Sequence, residues 1–159
     1  MNKECYQKSL RLLTNKEYSR PKLEDKLVNS GFSQEDSKLV IDKLYSLGLL
    51  KEDWYIETKI KNMMRKGYSK QHIQQRLMFE NLNVELDTID QIFVQFNQDE
   101  TSTIQNLIDK KAKKYQNGWD EIEFETQQKI KAKLVRSLIA KGYSLNDGIS
   151  AVDTYFYTK

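Results

Sequence analysis

The sequence predicts an all-α protein: three tandem three-helix, helix-turn-helix-like modules forming an elongated, curved body. Composition is the first reason, because one proline and six glycines among 159 residues rich in Lys, Glu, Leu, Ile and Gln favour helix over sheet. The second is spacing: apolar residues recur at intervals of three and four, one stripe to each stretch, as amphipathic helices require. The third is an internal repeat with a period of about 50 residues. With 38% hydrophobic and 31% charged residues, the chain can build a core but keeps more surface per residue than a compact globule.

The modules are expected at 1–50, 51–98 and 99–159. In the first, Leu10 and Leu13 mark the opening helix. Glu17-Tyr18-Ser19 then leads into Arg20-Pro21-Lys22-Leu23, with Leu27 and the turn Gly31-Phe32-Ser33. In the second, Tyr55, Ile56, Ile60, Met63 and Met64 line helix one, and Gly67-Tyr68-Ser69 opens helix two with Ile73 and Leu77. Asn81-Leu82-Asn83 takes the place of the Gly31 turn, and Leu86, Ile89, Ile92, Phe93 and Phe96 form helix three. The third copy shows at Leu134, Leu138 and Gly142-Tyr143-Ser144. It lies about 60 residues on, the excess being taken up by an inserted loop near 115–126. Gly31, Gly67 and Gly142 can adopt the positive φ that ends a helix. Ser19, Ser33, Ser69 and Ser144 are N-caps, two of them in capping-box spacing with Asp36 and Asp147. The aromatics Tyr18, Phe32, Tyr68 and Tyr143 are expected to pack between the helices they join.

No arrangement for catalysis emerges. The single histidine, His72, and the single cysteine, Cys5, fall in different modules without a motif around either. Cys5 reads as a free surface or half-buried thiol near a frayed terminus, and His72 as a helix-surface residue. One cysteine supports neither a disulfide framework nor a cysteine zinc site, and no histidine-rich, EF-hand or glycine-rich phosphate-binding spacing occurs. The run Asp120, Glu121, Glu123 and Glu125 reads as a solvated acidic linker. No metal and no cofactor is expected. No apolar run approaches the roughly 18 residues that span a bilayer, and the start Met1-Asn2-Lys3-Glu4-Cys5 is polar where a signal peptide turns apolar. The expected location is the cytoplasm.

The net charge is only +3, but its distribution is uneven. Helices one and two of each module lean basic. They carry Arg20, Lys22 and Lys26, then Lys59, Lys61, Arg65, Lys66, Lys70 and Arg76, then Lys110, Lys111, Lys113, Lys114, Lys129, Lys131, Lys133, Arg136 and Lys141. The third helices and linkers lean acidic, with Glu35, Asp36, Asp42, Glu85, Asp87 and Asp90. Stacked in register, such helices would present a basic stripe, suited to phosphates or to an acidic protein surface. Trp119 and Tyr115 lie among the charges of the inserted loop, either as an interface anchor or folded back on their own module.

The segment Gly48-Leu49-Leu50-Lys51-Glu52-Asp53-Trp54-Tyr55-Ile56 leads into Arg65-Lys66-Gly67-Tyr68-Ser69, then Ile73 and Leu77. It resembles the central block of the RecX family of regulatory proteins. There a Gly-Leu-Leu, acidic-pair, aromatic segment precedes a basic-Gly-aromatic turn and an Ile-x-x-x-Leu helix. The opening Leu10-x-x-Leu13, Glu17-Tyr18-Ser19 and Leu23-x-x-x-Leu27 are similar to that family as well. So is the close, where Leu134-x-x-x-Leu138 runs to Lys141-Gly142-Tyr143-Ser144. The resemblance covers nearly the whole chain in order, and its specificity lies in that order rather than in any one motif. Ala140 and Lys141 stand where the family often has arginine, which keeps a positive charge but removes a bidentate fork.

The resemblance implies a RecA modulator acting in recombination, DNA repair and the SOS response. Such a protein binds the RecA–DNA filament along its groove, opposes its growth, and suppresses RecA recombinase, ATPase and co-protease activities. The basic helices would face RecA or filament DNA, single- or double-stranded, and the chain itself reads as a monomeric binding protein rather than an enzyme. The residues alone also admit a helix-turn-helix protein acting on duplex DNA, or a general helical interaction scaffold.

Overall fold

Four serines start helices where their spacing places them. In this computed structural model, which describes residues 2–157, Ser19 Oγ accepts the Lys22 amide at 3.4 Å and Ser33 Oγ that of Asp36 at 3.1 Å. Ser69 Oγ accepts from His72 at 3.2 Å and Ser144 Oγ from Asp147 at 3.0 Å. Each bond satisfies an amide that the first helical turn leaves without a partner. The two capping-box carboxylates are engaged elsewhere. Asp147 accepts from the Ser144 hydroxyl itself, and Asp36 accepts from the Asn2 side-chain amide.

Among the described residues the chain is all-α. In order come α1 (Lys3–Asn15), α2 (Arg20–Val28), α3 (Gln34–Ser46), α4 (Glu52–Arg65), α5 (Lys70–Met78), α6 (Leu86–Gln95), α7 (Glu100–Gln116), α8 (Phe124–Ile139) and α9 (Leu145–Tyr157). A 3-10 turn, Trp119–Glu121, lies between α7 and α8. The expected long loop is therefore shorter, since α7 continues through Tyr115 and Gln116 and α8 already includes Phe124 and Glu125.

Most helix ends share one closure. At α8 the Gly142 amide reaches the Ile139 carbonyl at 2.8 Å and the Tyr143 amide reaches Leu138 at 3.2 Å, a Schellman pair. The same pair closes α2 to α6, with Asn81 (φ 57°) and Asn97 (φ 50°) in the left-handed position after α5 and α6. Gly142 is needed on two counts. Its φ is +91°, and a Cβ there would stand 2.4 Å from His72 Cβ and 2.6 Å from Ser69 Oγ.

The chain forms two compact units. One comprises the chain as far as Lys61 together with Leu77–Asn83, and the other Asn62–Arg76 together with the chain from Val84 onward. In the first, α1, α2 and α3 pack around Cys5, Leu23, Leu27, Val40, Ile41 and Leu44, with Tyr18 also buried. Cys5 corrects its sequence reading. It is fully buried, because Asn2 caps α1 by accepting the Glu4 and Cys5 amides and so brings the first turn into the fold. Burial pushes the Cys5 thiol pKa up, favouring the neutral form. Phe32 and Tyr68 are half-buried, while Tyr18 and Tyr143 are buried.

In the second unit α7, α8 and α9 pack on one another around Ile108, Ala112, Trp119, Leu134, Leu138, Val152 and Phe156. Trp119 folds back onto its own unit, buried and stacked on Phe156 at 3.6 Å between ring centroids. Two repeated turns bond to each other here. Ser69 Oγ donates to the Gly142 carbonyl at 2.9 Å, the Ser69 amide donates to Lys141, and the Tyr143 hydroxyl donates to Gly67 at 3.1 Å. His72 is half-buried beneath that junction, its ring stacked on Tyr68 at 4.9 Å, rather than lying free on a helix surface. Burial, and then the charges of Arg76 and Lys141, hold its pKa down, favouring the neutral imidazole.

The internal repeat has an electrostatic counterpart within each unit. The Arg20 amide at the start of α2 donates to Glu52 Oε1 at 2.7 Å, and the Arg20 side chain pairs with Asp42 on α3. Likewise the Lys70 amide at the start of α5 donates to Glu100 Oε1 at 2.8 Å, and its ammonium pairs with Asp90 on α6 at 2.6 Å. In both, an acid in the first turn of a later helix caps the helix two before it, adding negative charge where the helix dipole is positive.

Glu80, just past α5, is a second junction in the first unit. It accepts from Lys59, from the Tyr55 hydroxyl at 2.7 Å and from Lys22 at 3.1 Å. Burial raises its pKa, but the hydrogen bonds from Lys59, Tyr55 and Lys22 outweigh that and hold it at about 2. Two tests follow from this packing. Leu77 is fully buried, so Leu77→Ala should lower the urea-unfolding free energy by about 2–5 kcal/mol. A loss below that range would mean the site collapses around the smaller side chain. The depressed Glu80 pKa contributes stability above the ordinary carboxylate value of 4.5, and that contribution is lost as pH falls toward 2. Glu80→Gln should therefore cost on the order of 2 kcal/mol at neutral pH, allowing for screening at the half-exposed lysines. The gap from the parent protein should close on acidification, and a gap independent of pH would assign the loss to packing.

Candidate functional site

The cations singled out in the sequence fall into structural and unengaged groups. Arg20 is held by Asp42, Lys22 by Glu80, Lys61 by Glu57, Lys70 by Asp90 and Lys129 by Glu125. Lys22 also lies over the Tyr55 ring, and Lys141 over the Tyr68 ring at 4.2 Å. Lys59 and Lys131 are likewise engaged, by Glu80 and Asp153. Lys26, Arg65, Lys66, Arg76, Lys110, Lys111, Lys113, Lys114, Lys133 and Arg136 are exposed and carry no ion pair among the described residues.

Five of the exposed cations converge. Lys110, Lys111, Lys113 and Lys114 on α7 and Lys133 on α8 line one cleft of about 730 Å³ with Tyr115, Ile130 and Leu134. The helices fold this way because Ile108 and Ala112 on α7, and Leu134, Val135 and Leu138 on α8, turn inward. The intervening lysines are left at the surface. Lys113 and Lys114 also occupy the last turn of α7, where a cation offsets the negative helix end. Lys110, Lys111 and Lys133 have no such role. Like charges held this close repel one another, so the cluster favours an anion in the cleft.

The opposite flank of α7 has the opposite character. A groove of about 810 Å³ between α7 and α9 includes Glu100, Asp109, Asp147, Tyr143 and Tyr155, with no lysine or arginine among the described residues of its lining. The Tyr155 hydroxyl donates to Asp109 at 2.8 Å, and burial, this bond and that charge push its pKa up to about 12. The long helix α7 thus separates a basic cleft from an acidic groove within one unit.

Cys5 belongs to the first unit and His72 to the second. Among the described residues no group of His, Cys, Asp and Glu could hold a metal ion, and no helix is long and apolar enough to cross a membrane. The α7 lysines are evident in the sequence, whereas the cleft's apolar lining is not, because Tyr115 reads as part of a loop and Ile130 belongs to no apparent stripe.

Comparison with known proteins agrees with this architecture. A family profile described as the first three-helix domain of RecX matches residues 5–44. A protein named regulatory protein RecX from Legionella pneumophila (strain Corby) is 29% identical over 127 residues, covering 80% of this chain and 83% of its own. Another of that name from Acidithiobacillus ferrooxidans is 32% identical over 79 residues, covering 50% of this chain and 53% of its own. The crystal structure of RecX from Lactobacillus salivarius superposes with a TM-score of 0.69 at 20% identity, covering 98% of this chain and 96% of that one. The matched first three-helix domain and these similar proteins support a RecX-family reading of the chain, and the solved RecX structure shares its all-α fold.

Proposed function

We propose that this protein binds the RecA–DNA filament in the cytoplasm and restrains RecA, lowering its recombinase, ATPase and co-protease activities. It acts by binding, as a monomer, and not by turnover. Similarity to proteins named regulatory protein RecX supports the reading, and the observation that carries it is the cleft of five lysines that carry no ion pair among the described residues. Five cations left unneutralised at one place are poised for an anionic partner, and a filament of RecA on DNA offers acid and phosphate together. Lys26, Arg65, Lys66, Arg76 and Arg136 are further exposed contacts. Arg20, Lys22, Lys61, Lys70 and Lys129 are already committed within the fold and contribute less.

The direct assay is RecA ATPase on single-stranded DNA titrated with this protein. Progressive loss of turnover, relieved by added salt, is the expected result, and unchanged ATPase at saturating protein overturns the reading. Replacing Lys110, Lys111, Lys113 and Lys114 by Glu should weaken inhibition about tenfold or more while far-ultraviolet circular dichroism stays unchanged. Lys129→Gln, which removes only a cation already paired on the surface, should leave potency nearly intact. Equal effects of the two changes would place the contact elsewhere.

A further inference from the structure

The α7–α8 cleft is more than a charged surface. Its lysines rim a lining of Tyr115, Ile130 and Leu134, the first two half-buried and the last buried. A site for phosphate alone has no use for an apolar lining. Its volume, about 730 Å³, falls in the range of about 300–1,000 Å³ that encloses a small organic group. Cation and apolar surface side by side match a nucleotide, which joins a phosphate to a flat ring. The Lys114 ammonium lies over the Tyr115 ring at 4.8 Å, so the aromatic face and the positive charge share one location.

Three candidate polyanions can be separated. Duplex DNA keeps its bases stacked and paired, so it would meet the lysines and leave the apolar lining uncovered. An acidic peptide is best gripped by the planar fork of arginine, and all five cations here are lysines, which act as point charges. A single strand can turn one base or ribose inward while its flanking phosphates meet lysines placed three and four apart along α7. We propose that this cleft takes one unstacked nucleotide of a single strand, without base preference. Tyr115 and Ile130 face the base or sugar, and Lys110, Lys111, Lys113, Lys114 and Lys133 face the phosphates. The proposal rests on the reading of the cleft as the filament-contact surface, and it names the strand as the component touched.

The test uses the full chain without RecA. Fluorescence anisotropy would compare a labelled oligodeoxythymidylate with an abasic phosphodiester oligomer of equal length, a duplex, and poly-L-glutamate as competitor. The thymidylate oligomer should bind about tenfold more tightly than the abasic one, the order expected from burying a single base. Replacing Lys110, Lys113 and Lys133 by Gln should weaken both oligomers and reduce the slope of log affinity against log salt by about 2. Tyr115→Ala should remove the preference for the base-bearing oligomer and Tyr115→Phe should keep it. Should Tyr115→Ala lower the melting temperature, Ile130→Gln provides the same comparison. Equal affinity for the two oligomers, tighter binding of duplex, displacement by polyglutamate more readily than by thymidylate, or absence of binding would each overturn the proposal. RecA inhibition that persists without strand binding removes only this inference. Strand binding with unchanged RecA ATPase removes only the filament reading.

Discussion

Every α-helix leaves amides at its start and carbonyls at its end without partners inside the helix. Helices of nine to seventeen residues meet that problem at short intervals, and the rest of this structure depends on how it is solved. Serine hydroxyls take amides at four helix starts, and left-handed glycine or asparagine lets the chain fold back onto its last carbonyls. The solution then becomes long-range. Glu52 and Glu100 each cap a helix two earlier in the chain, so an element's own sequence does not complete its own terminus. Secondary and tertiary structure are specified by the same side chains.

The same arrangement divides the cations. An acid placed to cap or brace a neighbour also neutralises whatever base lies beside it, which accounts for Arg20–Asp42, Lys70–Asp90 and the three donors around Glu80. The lysines of α7 carry no ion pair among the described residues, and Asp109, the acid next to Lys110, lines the groove on the other flank of that helix. A net charge of +3 therefore understates the field at one cleft. Binding capacity resides where structural pairing stops, not where basic residues are most numerous.

Local chemistry was legible in the sequence. Serine after a Gly-aromatic pair, apolar residues three and four apart, and a repeat that preserves both lead directly to helices, caps and turns, and each was found in place. Interactions across the fold were not. Nothing near Glu80 indicates that it gathers Lys22, Lys59 and Tyr55, because those partners lie on other helices. Cys5 looked peripheral because chain position says little about burial when an Asn2 cap and the α3 packing hold the first turn in place. Within the candidate site, the charged half could be read from Lys110 to Lys114. The apolar half required knowing that α7 continues past Tyr115 and that Ile130 borders the same cleft.

The two tryptophans report on different parts of the molecule. Trp54 belongs to the first unit, is 56% exposed and has the Lys51 ammonium 3.8 Å from its ring centroid. Trp119 belongs to the second, is 2% exposed and lies stacked on Phe156. One lies exposed to water and the other in a dry aromatic setting. A collisional quencher such as iodide reaches the first and is kept from the second. The chain thus carries an unlabelled optical probe in each unit, and loss of order in one can be distinguished spectroscopically from loss of order in the other.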